Sequence, residues 1–199
     1  NNYITKDPFV GFKISFKKTN RVYINKDELY ILKNIKLNSS LNKVRDIFLF
    51  ACYTGLSYID LYNLNIKNIQ KGNDGLQWIY IKRHKTDIPS NVPILPYALY
   101  ILDIYKKHKN TNRIFPMISN QKTNKALKEI AILCNFNKKL TFHSARHTFA
   151  TTITLTNGVP IETVSKMLGH NNIKTTQIYA QVLESKISSD MQKLRDKFI

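Results

Sequence analysis

The stretch Thr141-Phe-His-Ser-Ala-Arg-His-Thr-Phe-Ala sets His143, Arg146 and His147 at i, i+3 and i+4, which on a helix brings all three to one face. An arginine offers a planar fork of donors that grips phosphate bidentately. A histidine can donate to a phosphate oxygen or move a proton. Any one of these residues is more simply a hydrogen-bonded core histidine or a surface arginine, but the three together in a strongly basic chain favour phosphate. Two histidines at i, i+4 also suit zinc. Here no glutamate lies between them in the protease arrangement, and no cysteine or carboxylate is close in sequence, so no metal is expected. Further on, Gly169 ends a helical pattern, His170 sits in the turn after it, and Tyr179 follows nine residues later.

The partner for such a face is indicated by charge. Lysine and arginine outnumber aspartate and glutamate 31 to 13 in 199 residues, a net +18. A field of that size suits a polyanion, nucleic acid first and an anionic membrane surface second. No apolar run approaches the roughly 20 residues of a membrane span, and no signal peptide is visible. Cys52 and Cys134 lie in apolar helical contexts and read as reduced core residues. A basic cytoplasmic, nucleoid-associated bacterial protein is the expectation.

The elements that must position these groups are mostly helical. Residues 1–20 read as an arm or linker. A helix starts at Asn25, whose side chain pairs with Glu28 as a capping box. A second runs from about Asn42 to Tyr53 and stops at Gly55, and a third from Ser57 to Leu64. Residues 66–95 change period: Leu76-Gln-Trp-Ile-Tyr-Ile-Lys-Arg and Asn91-Val-Pro-Ile-Leu are strand-like, separated by a turn cluster from Thr86 to Ser90. Helical patterns return over about 97–108, 119–134, 143–156, 161–168, 172–181 and 184–197. The expected class is mainly α with a small antiparallel β-sheet.

Taken in order, Thr54-Gly-Leu-x-x-x-Asp60, Lys85-Thr on a hairpin, His143-x-x-Arg-His, Leu168-Gly-His and Tyr179 resemble the catalytic domain of the tyrosine recombinases, the phage-type integrases. The segment around Phe50-Ala-Cys-Tyr-Thr-Gly-Leu is most similar to integrases of Bacteroides-type conjugative and mobilisable elements. The resemblance implies a DNA breaking–rejoining fold over residues 21–182, a C-terminal helical tail over 183–199, and an N-terminal core-binding domain that this stretch of chain lacks. It implies a site-specific recombinase that integrates or excises a mobile element. Tyr179 would attack a DNA phosphodiester to give a 3′-phosphotyrosine, with no metal or nucleotide cofactor. Arg146 and His170 would stabilise the non-bridging oxygens. His143 would contact the phosphate and take the tyrosine proton, and Lys85 would protonate the leaving oxygen. Asp60 and His147 would support the others. The partners implied are double-stranded DNA, further copies in a tetramer with the tail placed in trans, and accessory DNA-bending or directionality proteins.

One position departs from the family. Where the first of two phosphate-binding arginines usually stands, this chain has Ser57, which lacks both charge and reach. Ser57 also fits a helix cap with Asp60. Two arginines can fill the role. Arg83 lies two residues before Lys85, so that on a strand both side chains share a face; Arg45 lies twelve residues upstream on the preceding helix. Lys122, Lys125 and Lys128 open a helix that can face DNA or simply water. Leu183, Ile187, Met191, Leu194 and Phe198 form an apolar stripe in the tail. The rival classes are a basic DNA-binding module without chemistry and a topoisomerase of type IB, which shares the tyrosine chemistry.

Overall fold

Helix α1 (Lys26–Asn34) begins where its capping box dictates: Asn25 Oδ1 accepts the Glu28 N–H and Glu28 Oε2 accepts the Asn25 N–H, both at 2.8 Å. Leu29 and Leu32 turn inward from it. The computed structural model describes residues 9, 11–12, 21–106, 113–179 and 184–195.

Helix α2 (Ser39–Thr54) is the axis of the domain. Its residues from Ile47 to Cys52 are buried on every side, as expected of a helix that is apolar all round. It packs on α4 (Pro96–Lys106), α5 (Asn120–Leu133) and α6 (Phe142–Thr148). It stops at Gly55, which takes a left-handed φ of +70°. A side chain there would be strained and would also sit 2.6 Å from the Phe149 ring, so the break at Thr54-Gly55 has a steric cause as well as a conformational one.

Helix α3 (Tyr58–Tyr62) follows, capped by Ser57. The sheet has three antiparallel strands in the order β1 (Ile69–Lys71), β2 (Gln77–Lys82), β3 (Pro89–Pro93). Ile69 pairs with Ile79 and Ile79 with Val92, and the buried Ile79 and Val92 bind the sheet to the core. Ser90 Oγ donates to the Met167 carbonyl at 2.5 Å, clamping β3 to helix α7 (Ile161–Met167). Mainly helical with one small antiparallel sheet, the architecture is of the expected class.

Several expected elements are altered. Strand β1 is an addition to the expected pair. The turn after β2 spans residues 83–88, so β3 already starts at Pro89, within the expected turn cluster. The continuous helix expected over 143–156 is instead α6, a π-helical stretch over Phe149–Thr154 and a 3₁₀ turn over Leu155–Asn157. Thr154 Oγ1 bonds the carbonyls of Phe149 and Ala150 at 2.9 and 2.8 Å. Such side-chain bonds compete with the helical ladder and open it. The helix expected over 172–181 shrinks to α8 (Lys174–Gln177). Helix α9 (Glu184–Arg195) closes the described chain, with Met191 and Leu194 exposed. Leu183, Phe198 and the side chain of Ile187 lie outside the described residues. Among the described residues, no helix is long and apolar enough to cross a membrane and no cluster of side chains can hold a metal ion.

Candidate active site

Arg146 leaves α6 pointing inward and is almost fully buried. Its Nη1 donates to the Gly55 carbonyl at 2.8 Å and its Nη2 to the Leu168 carbonyl at 2.5 Å. These carbonyls belong to the ends of α2 and α7, where unpaired acceptors and negative dipole ends gather. Nη2 also lies 2.9 Å from His170 Nε2. A guanidinium has five N–H donors. Three are engaged by these contacts, and the Tyr179 hydroxyl is a further hydrogen-bonding neighbour, so the fork is held rigid.

Burial, followed by repulsion from Arg83, pushes the Arg146 pKa down to about 10; Tyr179 and Asp60 oppose the shift. Arg146 therefore stays charged at neutral pH, a buried cation.

Arg83 supplies the second buried cation. It follows the last residue of β2, and its backbone N–H bonds the Ile88 carbonyl across the turn. Its Nη1 lies 3.1 Å from Asp60 Oδ2, an ion pair out of line for a hydrogen bond, so this buried Nη1 has no hydrogen-bond partner among the described residues. Burial lowers its pKa, and the nearby Asp60 and Tyr179 oppose that. The stem of Arg83 lies against Gly169, where a Cβ would stand 2.6 Å from Arg83 Cγ.

Asp60 is the hub. Its Oδ2 accepts the Ser57 hydroxyl at 2.5 Å and its Oδ1 accepts the His84 N–H at 3.0 Å. One carboxylate thus fixes Ser57, Arg83 and the start of the β2–β3 turn. Ser57 is also the cap of α3, at 3.4 Å from the Asp60 N–H.

Tyr179 is buried, just past the end of α8. Its ring centroid lies 5.1 Å from that of His147, and it stacks at 13° on His170 at 6.3 Å. His147 in turn meets His143 edge-to-face at 4.4 Å. His143 shows one side to solvent and the other to the cluster. Partial burial, then Arg146, Arg21, Arg83 and Lys85, hold its pKa below the ordinary value. Burial and then the Arg146 and Arg83 charges draw His170 down to about 4. His147 falls to about 3 through burial, then His143, Arg21 and Arg146. All three imidazoles are neutral at pH 7.

The structure thus brings together Arg83, Arg146, His143, His147, His170, Tyr179, Asp60 and Ser57. Lys85 is exposed in the turn, near enough for its charge to act on His143. The expectation that Arg83 and Lys85 share a strand face is corrected: the strand ends at Lys82 and residues 84–86 turn, so Arg83 is buried while Lys85 reaches out.

Arg45 is not part of the cluster. Its Nε and Nη2 bond Asp46 Oδ1 at 3.1 and 2.9 Å, and its Nη1 bonds the Ile35 carbonyl at 2.9 Å. It serves the end of α1, and the groups that feel its charge are Tyr97, Tyr105 and Cys134. Lys122, Lys125 and Lys128 are exposed along one side of α5, opposite the buried Thr123, Leu127 and Ile130.

Sequence reasoning missed the carbonyls of Gly55 and Leu168, the space at Gly169, and Thr176. Thr176 is fully buried, and its Oγ1 lies 2.8 Å from His170 Nδ1. Its only sequence signal is its place between His170 and Tyr179.

A site with two buried guanidiniums, three neutral imidazoles and a tyrosine, set in this fold, defines the class: the chain belongs to the phage integrase family, whose model matches residues 23–186. Tyrosine recombinase XerD of Staphylococcus epidermidis is 29% identical over 198 residues, covering 93% of this chain and 66% of that protein. XerD of Staphylococcus aureus (strain N315) is 30% identical with the same coverage. The chain therefore spans just under two thirds of the length of these curated relatives.

Among solved structures, the Tn1549 transposon integrase in complex with a circular intermediate DNA superimposes with a TM-score of 0.73 at 18% identity, over 96% of this chain and 73% of that one. XerA recombinase gives 0.69 at 22% identity, over 90% and 67%. A lambda integrase dimer bound to a core site gives 0.70 at 19% identity, over 89% and 65%.

Proposed function

We propose that this chain is the catalytic domain of a site-specific DNA recombinase that cuts and rejoins one strand at a time through Tyr179. The observation that carries this reading is the convergence of two buried, charged guanidiniums, Arg83 and Arg146, on the electrostatic surroundings of one buried tyrosine. The two buried cations share one carboxylate, Asp60, so a second anion is favoured beside them, and a phosphodiester beside Tyr179 supplies it.

In this reading the Tyr179 oxygen forms a bond to phosphorus as the bond from phosphorus to the 5′ oxygen breaks. His143 takes the phenolic proton, and Lys85 gives a proton to the departing oxygen. Arg83 and Arg146 hold the non-bridging oxygens, where negative charge grows, and His170 donates to them. Arg83 thereby does the work of the arginine absent at Ser57. Ser57 and Asp60 hold Arg83 in place, and His147 buttresses Tyr179 and His143. The phosphodiester energy is kept in the protein–DNA bond, so rejoining needs no nucleotide cofactor.

The exposed lysines of α5 and the large positive charge bind the duplex backbone, which fixes position more than sequence. The named likenesses to a transposon integrase and to XerD support recombination between defined sites. The Phe50–Leu56 segment points to a mobile element of the Bacteroides conjugative type. On DNA the protein assembles as a tetramer, its tail engaging a neighbour, with accessory DNA-bending or directionality proteins choosing integration or excision.

The test is a covalent trap. Nicked duplexes randomised across the scissile region release a short strand on cleavage and leave the adduct stranded. The wild type should give a protein–DNA adduct, and sequencing the trapped strand should reveal a defined site. Tyr179→Phe should give none. Binding with no adduct from the wild type would leave a DNA-binding module, and adducts at unrelated sequences would leave a topoisomerase.

A further inference from the structure

His170 faces Arg146, Arg83, Tyr179 and Thr176. A guanidinium has no acceptor, so the 2.9 Å contact from Arg146 Nη2 requires His170 Nε2 to accept. The single proton of the neutral ring is then on Nδ1, and Thr176 Oγ1, at 2.8 Å, receives it. In that form His170 has nothing to donate to a phosphate. Burial, and then the two arginines, oppose an imidazolium, so the ring at neutral pH holds one proton. To donate from Nε2, the ring must change tautomer.

We infer that Thr176 is a positioning residue for strand cleavage, its hydroxyl accepting from His170 Nδ1 in the free protein and donating to Nδ1 once His170 Nε2–H turns to the scissile phosphate. This rests on the recombinase reading. The proton leaves Nδ1 and another arrives at Nε2 by exchange with water, so the ring is neutral before and after. A hydroxyl is suited to this because one atom both donates and accepts and its hydrogen rotates freely. Valine has nearly the same shape and can do neither.

The location of Thr176 supports the role. It is fully buried, so its hydroxyl has no bulk water to turn to. Its backbone N–H bonds the Ile173 carbonyl at 2.8 Å, and its own carbonyl accepts the Tyr179 N–H at 2.9 Å. The same residue therefore sets the tautomer of the histidine and the turn that presents the nucleophile. Its hydroxyl acts on the imidazole and its backbone on the turn, so a side-chain substitution separates the two effects.

The experiment has two arms. In the first, the full chain is labelled with ¹⁵N-histidine and the ring nitrogens of His170 are read by long-range proton–nitrogen NMR. The free wild type should show the proton on Nδ1, and binding of the nicked duplex to Tyr179→Phe should move it to Nε2. In the second, Thr176→Val and Thr176→Ser are compared with the wild type on the duplex trapped above. Thr176→Val should bind that duplex as tightly as the wild type but cleave it about tenfold or more slowly, the scale of one lost buried hydrogen bond. Thr176→Ser should recover most of the rate.

Wild-type cleavage by Thr176→Val, or a free-state proton on His170 Nε2, overturns the role of Thr176. Failure of the wild type itself to form an adduct removes the recombinase reading instead, and the role in cleavage with it.

Discussion

Replacing Arg83 with alanine should separate what the residue does for the fold from what it does for DNA. The ion pair with Asp60 is buried, with side chains only 9% and 2% exposed. Removing one partner of such a pair commonly costs about 3–5 kcal/mol. Two features reduce that here. Asp60 keeps its bonds from Ser57 Oγ and the His84 N–H, and Arg146 loses a repulsive neighbour. A loss of about 2–3 kcal/mol follows from these terms, read as a lowered denaturant midpoint.

Cleavage should fall further than this stability change explains. Removing one donor to a developing oxyanion costs about 10² to 10³ in rate, measured as single-turnover adduct formation at a temperature where the variant is folded. Arg83→Ala combined with Asp60→Asn then decides the matter. Asparagine can still accept the His84 N–H but leaves no buried charge unpaired, so stability should rise by about 1 kcal/mol over Arg83→Ala. The cleavage rate should stay low. If the double variant regains cleavage together with stability, Arg83 acts only by holding the fold and the phosphate role assigned to it is wrong.

The remaining predictions concern its neighbours. Ser57→Arg in the Arg83→Ala background should restore part of the adduct yield, by placing a guanidinium beside Asp60 from the other side. Gly169→Ala should destabilise by about 1 kcal/mol or more because of its φ of +60°, and should also depress cleavage, since the new methyl displaces the Arg83 stem; circular dichroism should show the helices intact. Folded-state pKa values below the ordinary 6.5 mean that the unfolded chain binds protons more readily in that window. The stability due to neutral His170 and His147 is therefore full above about pH 6.5 and is lost as pH falls toward about 4 for His170 and about 3 for His147; melting temperatures of His147→Gln should fall less steeply across that range. Changing Lys122, Lys125 and Lys128 to glutamine should weaken binding to every duplex alike and flatten the salt dependence by about 0.9 in slope for each phosphate left without its lysine.

Local chemistry was legible in the sequence where it is self-contained. The Asn25–Glu28 box, the glycine stop at Gly55 and the Ser57–Asp60 cap each depend on residues within a few positions of one another. The shared face of His143, Arg146 and His147 follows from helical spacing alone. What escaped depends on distant partners. Strand β1 is three residues, Ile-Gln-Lys, with little apolar content, and exists because β2 offers it an edge. The π-helical stretch arises from threonine hydroxyls whose competition with the ladder a periodicity count does not weigh. Arg45 and Arg83 look like equal candidates along the chain; the fold separates them, because Asp46 and the end of α1 occupy the first and Asp60 holds the second. Arg83 and Lys85 part through a small shift of the strand boundary, enough to send one side chain inward and leave the other outside.

The two carbonyls that hold Arg146 come from either side of it in the sequence, 91 positions before it and 22 after. A nascent or damaged chain in which either helix end is missing cannot fix its guanidinium. Here the guanidinium is held only when both helix ends are in register, so its placement reports that the chain from residue 55 to residue 168 has folded as one unit.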